Sequence, residues 1–150
     1  VAPHAKLYGV KVLSDGGSGQ TSWILAGLEW CVRNRMDVAS LSLGAATGVR
    51  NSYTVAIQRC RRAGVTVVCA AGNSFQQSFK FVNSPANSPG AVAVGAIDKN
   101  CRIASFSSRG GTANQVSISA PGVKVKSTYL NNGYKSMSGT SMACPHVAGA

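Results

Sequence analysis

The chain has 150 residues, of which 15 are Lys or Arg and 4 are Asp or Glu, giving a formal net charge of +11. Hydrophobic residues make up 45%, which places it with folded globular chains rather than disordered ones, and the length suits a single domain. No apolar run approaches the ~20 residues of a membrane-spanning helix.

The first predicted element is residues 7–13, Leu7-Tyr8-Gly9-Val10-Lys11-Val12-Leu13, which read as a buried strand. A glycine-rich loop follows at Asp15-Gly16-Gly17-Ser18-Gly19. Thr21 or Ser22 is then placed to N-cap a helix whose apolar stripe is Ile24, Leu28, Cys31 and Val32. A second strand spans 38–43 and stops at Gly44. A second helix runs from about 52 to 63, with Val55, Ala56 and Cys60 inward and Gly64 as its stop. The third strand is 65–71. After Gly72 the chain becomes a polar, proline-bearing loop over 76–90, then short strands at 91–97, 116–119 and 123–127. A last helix opens at Gly139-Thr140-Ser141.

Strands alternating with helices at this spacing indicate βαβ units: an α/β protein with a mostly parallel sheet covered by helices. No repeat, linker or low-complexity tract marks a domain boundary. Val1 is not a Met, and residues 146–150 carry no helix stop, so both ends read as cut.

The charge is not organised for nucleic acid. Basic residues are scattered from Lys6 to Lys135, and the one tight group, Arg59, Arg61 and Arg62, closes a predicted helix, where cations complement the helix dipole. No nucleic-acid-binding signature accompanies them. The five cysteines show no metal-ligand spacing, and an odd count cannot close fully into internal disulfides. Cys31, Cys60 and Cys69 sit in apolar surroundings and read as small buried hydrophobes, with disulfides the alternative and the redox compartment undetermined.

In open α/β sheets, ligands gather outside the carboxyl ends of the strands. Ser42-Leu43-Gly44 and Ala71-Gly72-Asn73 lie at such ends, and Ser141 lies at a helix start reached through Gly139. Free N–H groups and the dipole at a helix N-terminus favour developing negative charge. A hydroxyl there can attack a carbonyl while its own N–H helps hold the oxyanion. Read in isolation, the same Thr and Ser are ordinary helix caps, and Asn73 is a turn residue after Gly72.

They are not isolated. The run 139–149, Gly139-Thr140-Ser141-Met142-Ala143-Cys144-Pro145-His146-Val147-Ala148-Gly149, closely resembles the catalytic-serine segment of the subtilisin-like serine proteases (the subtilase, or S8, family). Ala70-Ala71-Gly72-Asn73 resembles that family's oxyanion-asparagine segment, and Ser40-Leu41-Ser42-Leu43-Gly44 its substrate-lining strand end. Gly17-Ser18-Gly19-Gln20 is similar to its peptide-pairing edge. Ala104-Ser105-Phe106-Ser107 and Ala120-Pro121-Gly122 extend the likeness over essentially the whole chain. The stretch 39–44 leans towards the proteinase K-like branch.

The resemblance implies a three-layer subtilisin-like fold, a mostly parallel central sheet flanked by helices, incomplete in residues 1–150. It implies a serine endopeptidase acting through an acyl-enzyme on Ser141, with Asn73 in the oxyanion hole. Gly17, Ser18, Gly19, Ser42, Leu43 and Gly44 would sandwich an extended protein or peptide substrate by strand pairing. Ala70, Ala71, Gly72 and Asn83 would line the pocket for the residue before the cut. Small residues there imply room for apolar or aromatic side chains, while Asn83 leaves the floor of the pocket undetermined. Ser84-Pro85 is a candidate cis peptide, as the family has one nearby. No nucleic acid or membrane is implied as a partner, and secretion is the family expectation.

A serine nucleophile needs a base and an orienting carboxylate. His146 follows Ser141 by five residues, about 140° around a helix and ~7.5 Å along it, so it points away. His4 lacks the family's His-Gly-Thr-His context, and none of Asp15, Glu29, Asp37 or Asp98 sits in its aspartate context. Subtilisins run Asp, His, Ser along the chain. The expectation is therefore a partial catalytic domain, its Asp and His upstream of Val1, inactive by itself. The alternatives are a naturally inactive homologue, a basic non-catalytic binding module, and an α/β-hydrolase, although residues 139–143 lack the last Gly of G-x-S-x-G.

The chemistry requires no cofactor. Related proteases often hold calcium near the 86–91 loop with a carboxylate before Ala-Pro-Gly. Gln115-Val116-Ser117 supplies none, and calcium prefers charged oxygens. That site is expected to be lost or much weakened, leaving calcium only to residues outside the segment.

Overall fold

Four parallel strands pair in the order in which the chain makes them: β1 (Val38–Leu41), β2 (Thr66–Ala70), β3 (Val92–Ile97) and β4 (Ile118–Pro121). The computed structural model describes residues 1–49, 51–111 and 115–150. Helices α1 (Thr21–Arg33) and α2 (Asn51–Arg62) cover one face, and α3 (Thr140–Ala148) crosses the other against all four strands. This is the expected three-layer α/β architecture with a mostly parallel central sheet.

The residue pattern of β2 shows why both faces are covered. Val67 and Cys69 join the core under α1 and α2, with Ile24, Leu28, Leu41, Ile57 and Cys60. Val68 and Ala70 alternate to the opposite core, with Val94, Ala96, Ala120, Ala143 and Cys144. A central parallel strand is apolar on both sides for this reason. The second core is built largely of alanines, so α3 lies close to the sheet. Gly122 lets the chain before α3 close in as well. A side-chain carbon there would stand 2.8 Å from the Gly139 carbonyl, and the Gly139 N–H donates to the Gly122 carbonyl at 2.8 Å.

α2 ends as its sequence predicts. Gly64 adopts φ +83°, the Val65 N–H reaches back to the Cys60 carbonyl at 2.9 Å, and Arg59, Arg61 and Arg62 occupy the last turn. Its inward face differs from expectation. Tyr53, Ile57 and Cys60 are buried, whereas Val55 is 62% exposed. Two residues of α-helix are about 200° of rotation, so a face centred on Ile57 turns Val55 outward.

Residues 7–13 are not a strand. Leu7 is 91% exposed, and no strand among the described residues pairs with this stretch. Apolar, β-branched residues form a strand only where a neighbour supplies ladder partners. Instead Tyr8 lies 6.1 Å from Trp30, ring centre to ring centre, and Val12 packs on the first core. Neither Thr21 nor Ser22 caps α1; Gln20 holds the cap position without a side-chain bond.

The stretch predicted as 123–127 is β5 (Val125–Tyr129), which turns back into an unpredicted β6 (Gly133–Met137) as an antiparallel hairpin. Asn131 and Asn132, both at φ 56°, make the turn before Gly133. The Ser84–Pro85 peptide is cis. All five cysteines are free, with Cys60, Cys69 and Cys144 buried, Cys31 half-buried and Cys101 exposed.

Candidate active site

Because the strands are parallel, their carboxyl ends share one edge, and there β1 runs into Ser42-Leu43-Gly44 and β2 into Ala71-Gly72-Asn73. The N-terminus of α3 points at the same edge, and a cleft of about 580 Å³ opens between them. Residues Gly17, Ser18 and Gly19 form a further wall, and Asn83 also lines the cleft. Gly19 sits against the 12–13 stretch, where a side-chain carbon would stand 2.6 Å from the Val12 carbonyl. Of the predicted site residues only Ala71 is absent from the lining. It is fully buried in the first core, since strand alternation sends Ala70 to the cleft side and its neighbour to the other.

Around Ser141 the hydrogen bonds form a directed set. The Ser42 hydroxyl donates to the Ser141 carbonyl at 2.9 Å, and the Ser141 hydroxyl donates to the Ser42 carbonyl at 3.3 Å. Asn73 Oδ1 accepts from both the N–H (2.8 Å) and the hydroxyl (3.0 Å) of Thr140. The Thr140 hydroxyl oxygen in turn accepts from the Gly72 N–H at 3.1 Å. With Oδ1 held twice, the Asn73 amide cannot turn over, and its NH2 faces the start of α3. That nitrogen lies 3.4 Å from where a side-chain carbon on Gly139 would stand. The site therefore presents a hydroxyl, a carboxamide N–H and a helix N-terminus at one point.

Thr140 is the residue that sequence reasoning missed. It is fully buried and clamps Asn73, although nothing in Gly139-Thr140-Ser141 separates that task from plain helix capping. A second missed set lies behind Gly72. Ser74 and Ser108 are buried, their hydroxyls are 3.1 Å apart, and Ser74 donates to Asn83 Oδ1 at 3.1 Å. Cys144 backs α3, its thiol 3.4 Å from the Val68 carbonyl and 3.6 Å from the Ser40 hydroxyl. Burial pushes the thiols of Cys31, Cys60, Cys69 and Cys144 above the ordinary cysteine range.

The wall carrying Asn83 is fastened by backbone. Ala45 and Ser84 exchange hydrogen bonds at 2.8 and 3.0 Å, and Gly44 is required because a side-chain carbon would come within 2.8 Å of the Ser84 carbonyl. The Asn87 amide ties this loop to the Thr47 carbonyl at 2.9 Å.

Neither histidine meets the serine. His146 Nδ1 donates to the Met142 carbonyl at 2.8 Å, one turn back along its own helix, and His4 lies exposed. Asp15 pairs with Lys11, and Glu29 with Arg33 and Arg59. Asp98 accepts the N–H groups of Asn100 and Arg102, and the Arg102 bond foremost holds its carboxyl below the usual carboxylate range. At the secondary calcium position Gln115 and Ser117 offer only neutral side-chain oxygens. The Ser117 hydroxyl oxygen already accepts the Ala93 N–H at 3.0 Å, and the Gln115 amide donates to the Gly111 carbonyl.

Fold and cleft together define a three-layer α/β protein with a helix-terminal serine beside a fixed carboxamide, at the carboxyl edge of a parallel sheet. A profile of the Subtilase family, peptidase family S8, matches residues 1–150. The chain belongs to that family. It is 48% identical over 149 residues to a thermostable alkaline protease of Halalkalibacterium halodurans, covering 99% of this chain and 39% of the relative. It is 46% identical over 151 residues to subtilisin E of Bacillus subtilis, covering 100% and 39%. Among solved structures, Sphericase superposes with a TM-score of 0.87 at 35% identity, over 99% of this chain and 54% of that one. A cold-adapted subtilisin-like serine proteinase gives 0.80 at 40%, over 93% and 49%. The chain thus spans about two fifths of the length of these curated relatives.

Proposed function

We propose that the protein carrying this chain is a serine endopeptidase that cleaves protein or peptide substrates through an acyl-enzyme on Ser141. One observation supports this above the others: both Thr140 donors hold Asn73 Oδ1, so the amide N–H groups are turned to the place beside Ser141. In the reaction the Ser141 oxygen attacks the carbonyl carbon of the scissile bond. The carbonyl oxygen gains charge and takes hydrogen bonds from the Ser141 N–H and from Asn73 Nδ2, with the α3 dipole aligned to favour it. The leaving amine departs with a proton, and water then hydrolyses the ester.

The proton acceptor and its orienting acid are not supplied by His4, His146 or the four acids of this chain, so residues 1–150 alone are expected to be inactive. Substrate lies extended between the 17–19 and 42–44 edges, which offer backbone for strand pairing. No cofactor takes part in the chemistry. Calcium at the Gln115–Ser117 position would have only neutral ligands, so calcium titration is expected to show no binding there; tight binding at Ser117 overturns that assignment. Export from the cell rests on the family alone, and detection of the protein in the culture medium checks it.

The deciding experiment is labelling of the complete gene product with a serine-directed fluorophosphonate. Labelling that vanishes in Ser141→Ala is expected. Labelling that persists there removes the role of Ser141.

A further inference from the structure

The floor of the cleft is polar, and its polarity has a direction. Ser108 Oγ accepts the Ser74 N–H at 3.2 Å, and the Ser74 hydroxyl donates to Asn83 Oδ1. That bond uses the single proton of Ser74, so in the 3.1 Å contact between the two hydroxyls Ser108 is the donor. Ser108 is buried, and its hydroxyl makes no other donor bond among the described residues, so the chain of hydrogen bonds runs from Ser108 to Ser74 to Asn83 Oδ1. The Asn83 NH2 is left over the bare face of Gly72, where any side-chain carbon would collide with it. Among the described residues Asn83 Nδ2 makes no hydrogen bond. It is not one of the enclosed, unpartnered polar atoms either, and the open space it touches is the cleft. Among the described residues the cleft lining contains no charged side chain.

A fixed, unpaired N–H donor in a half-enclosed pocket selects for a ligand group that accepts it. An apolar group seated there would strip water from the donor and give nothing back. A carboxylate would accept the bond but would lose its own hydration with no cation beside it. We infer that Asn83 makes this cleft selective for a neutral side chain ending in a carbonyl oxygen, glutamine foremost, immediately before the scissile bond. This departs from the apolar or aromatic preference implied by the family resemblance. It rests on the reading of the cleft as a peptide site but not on catalysis.

The test therefore uses binding. In the complete protein carrying Ser141→Ala, titration calorimetry compares tetrapeptides that differ only in a final Gln, Met, Leu or Glu. Gln is expected to bind about tenfold tighter than Met or Leu, and tighter than Glu. Asn83→Asp keeps the acceptor for Ser74 and the shape, but removes the donor; it is expected to abolish the Gln preference and favour Lys. Ser74→Ala, which frees the amide to turn, is expected to shrink the preference without removing peptide binding. Equal binding of Gln and Leu, or a Gln preference that survives Asn83→Asp, overturns the inference while leaving the peptidase reading intact. Failure of every peptide to bind overturns both.

Discussion

Thr140 illustrates how much chemistry depends on a residue that need not touch substrate. Its hydroxyl bridges the Gly72 N–H and Asn73 Oδ1, so Thr140→Val breaks two bonds and leaves a backbone donor unpaired. A loss of about 1–3 kcal/mol in stability is expected from the unpaired group, measurable by urea unfolding. In the complete protein kcat should fall about tenfold, because the Thr140 N–H still holds Asn73. Asn73→Leu should cost more. Removal of the equivalent donor in subtilisin lowers kcat by about 10²–10³-fold, and the same loss with KM little changed is expected in peptide hydrolysis by the complete protein. Equal losses for both substitutions would contradict the division of labour between donor and clamp.

At the scale of elements, α3 and α2 meet the sheet differently. α3 rests on alanines, and Ala143 is fully buried against β2 and β3. Ala143→Leu inserts volume into a site without space, and about 1–3 kcal/mol of destabilisation is expected in denaturant titration. Ile57 on α2 is also fully buried but large, so Ile57→Ala leaves a cavity and should cost about 2–5 kcal/mol. The turn after β3 is electrostatic. Since the folded pKa of Asp98 is depressed, its contribution is full above the ordinary carboxylate range and is lost as pH falls through the folded value. Melting temperatures of the parent and Asp98→Asn should therefore differ at neutral pH and converge in acid.

Across the whole molecule, 15 cations face 4 acids, and among the described residues three ion pairs, two of them sharing Glu29, engage two of those acids. Self-repulsion on this scale is screened by salt, so the melting temperature of the chain should rise from 10 to 150 mM NaCl. Thiol accessibility reports the layers directly. In native protein Cys101 should react first with a maleimide and Cys31 slowly, while Cys60, Cys69 and Cys144 require denaturant; prompt labelling of Cys144 would mean that α3 does not pack as described.

The same contrast separates what could be read from residues and what could not. Alternation in 65–71, the helix periods and Gly64 are local patterns, and they yielded the parallel α/β sheet; the runs around Asn73 and Ser141 carried the family. Local pattern failed where a partner decides. Residues 7–13 have strand composition, but no ladder neighbour among the described residues. Val55 is apolar on a helix whose burial is centred on Ile57. Residues 133–137 went unread as a strand, because only pairing with 125–129 makes the hairpin. Sequence alone determined which residues reach the carboxyl edge of the sheet. Tertiary structure decided which way each amide there faces, because that depends on hydrogen bonds from Thr140 to Asn73 and from Ser74 to Asn83, and no neighbouring residue in the chain dictates such partners.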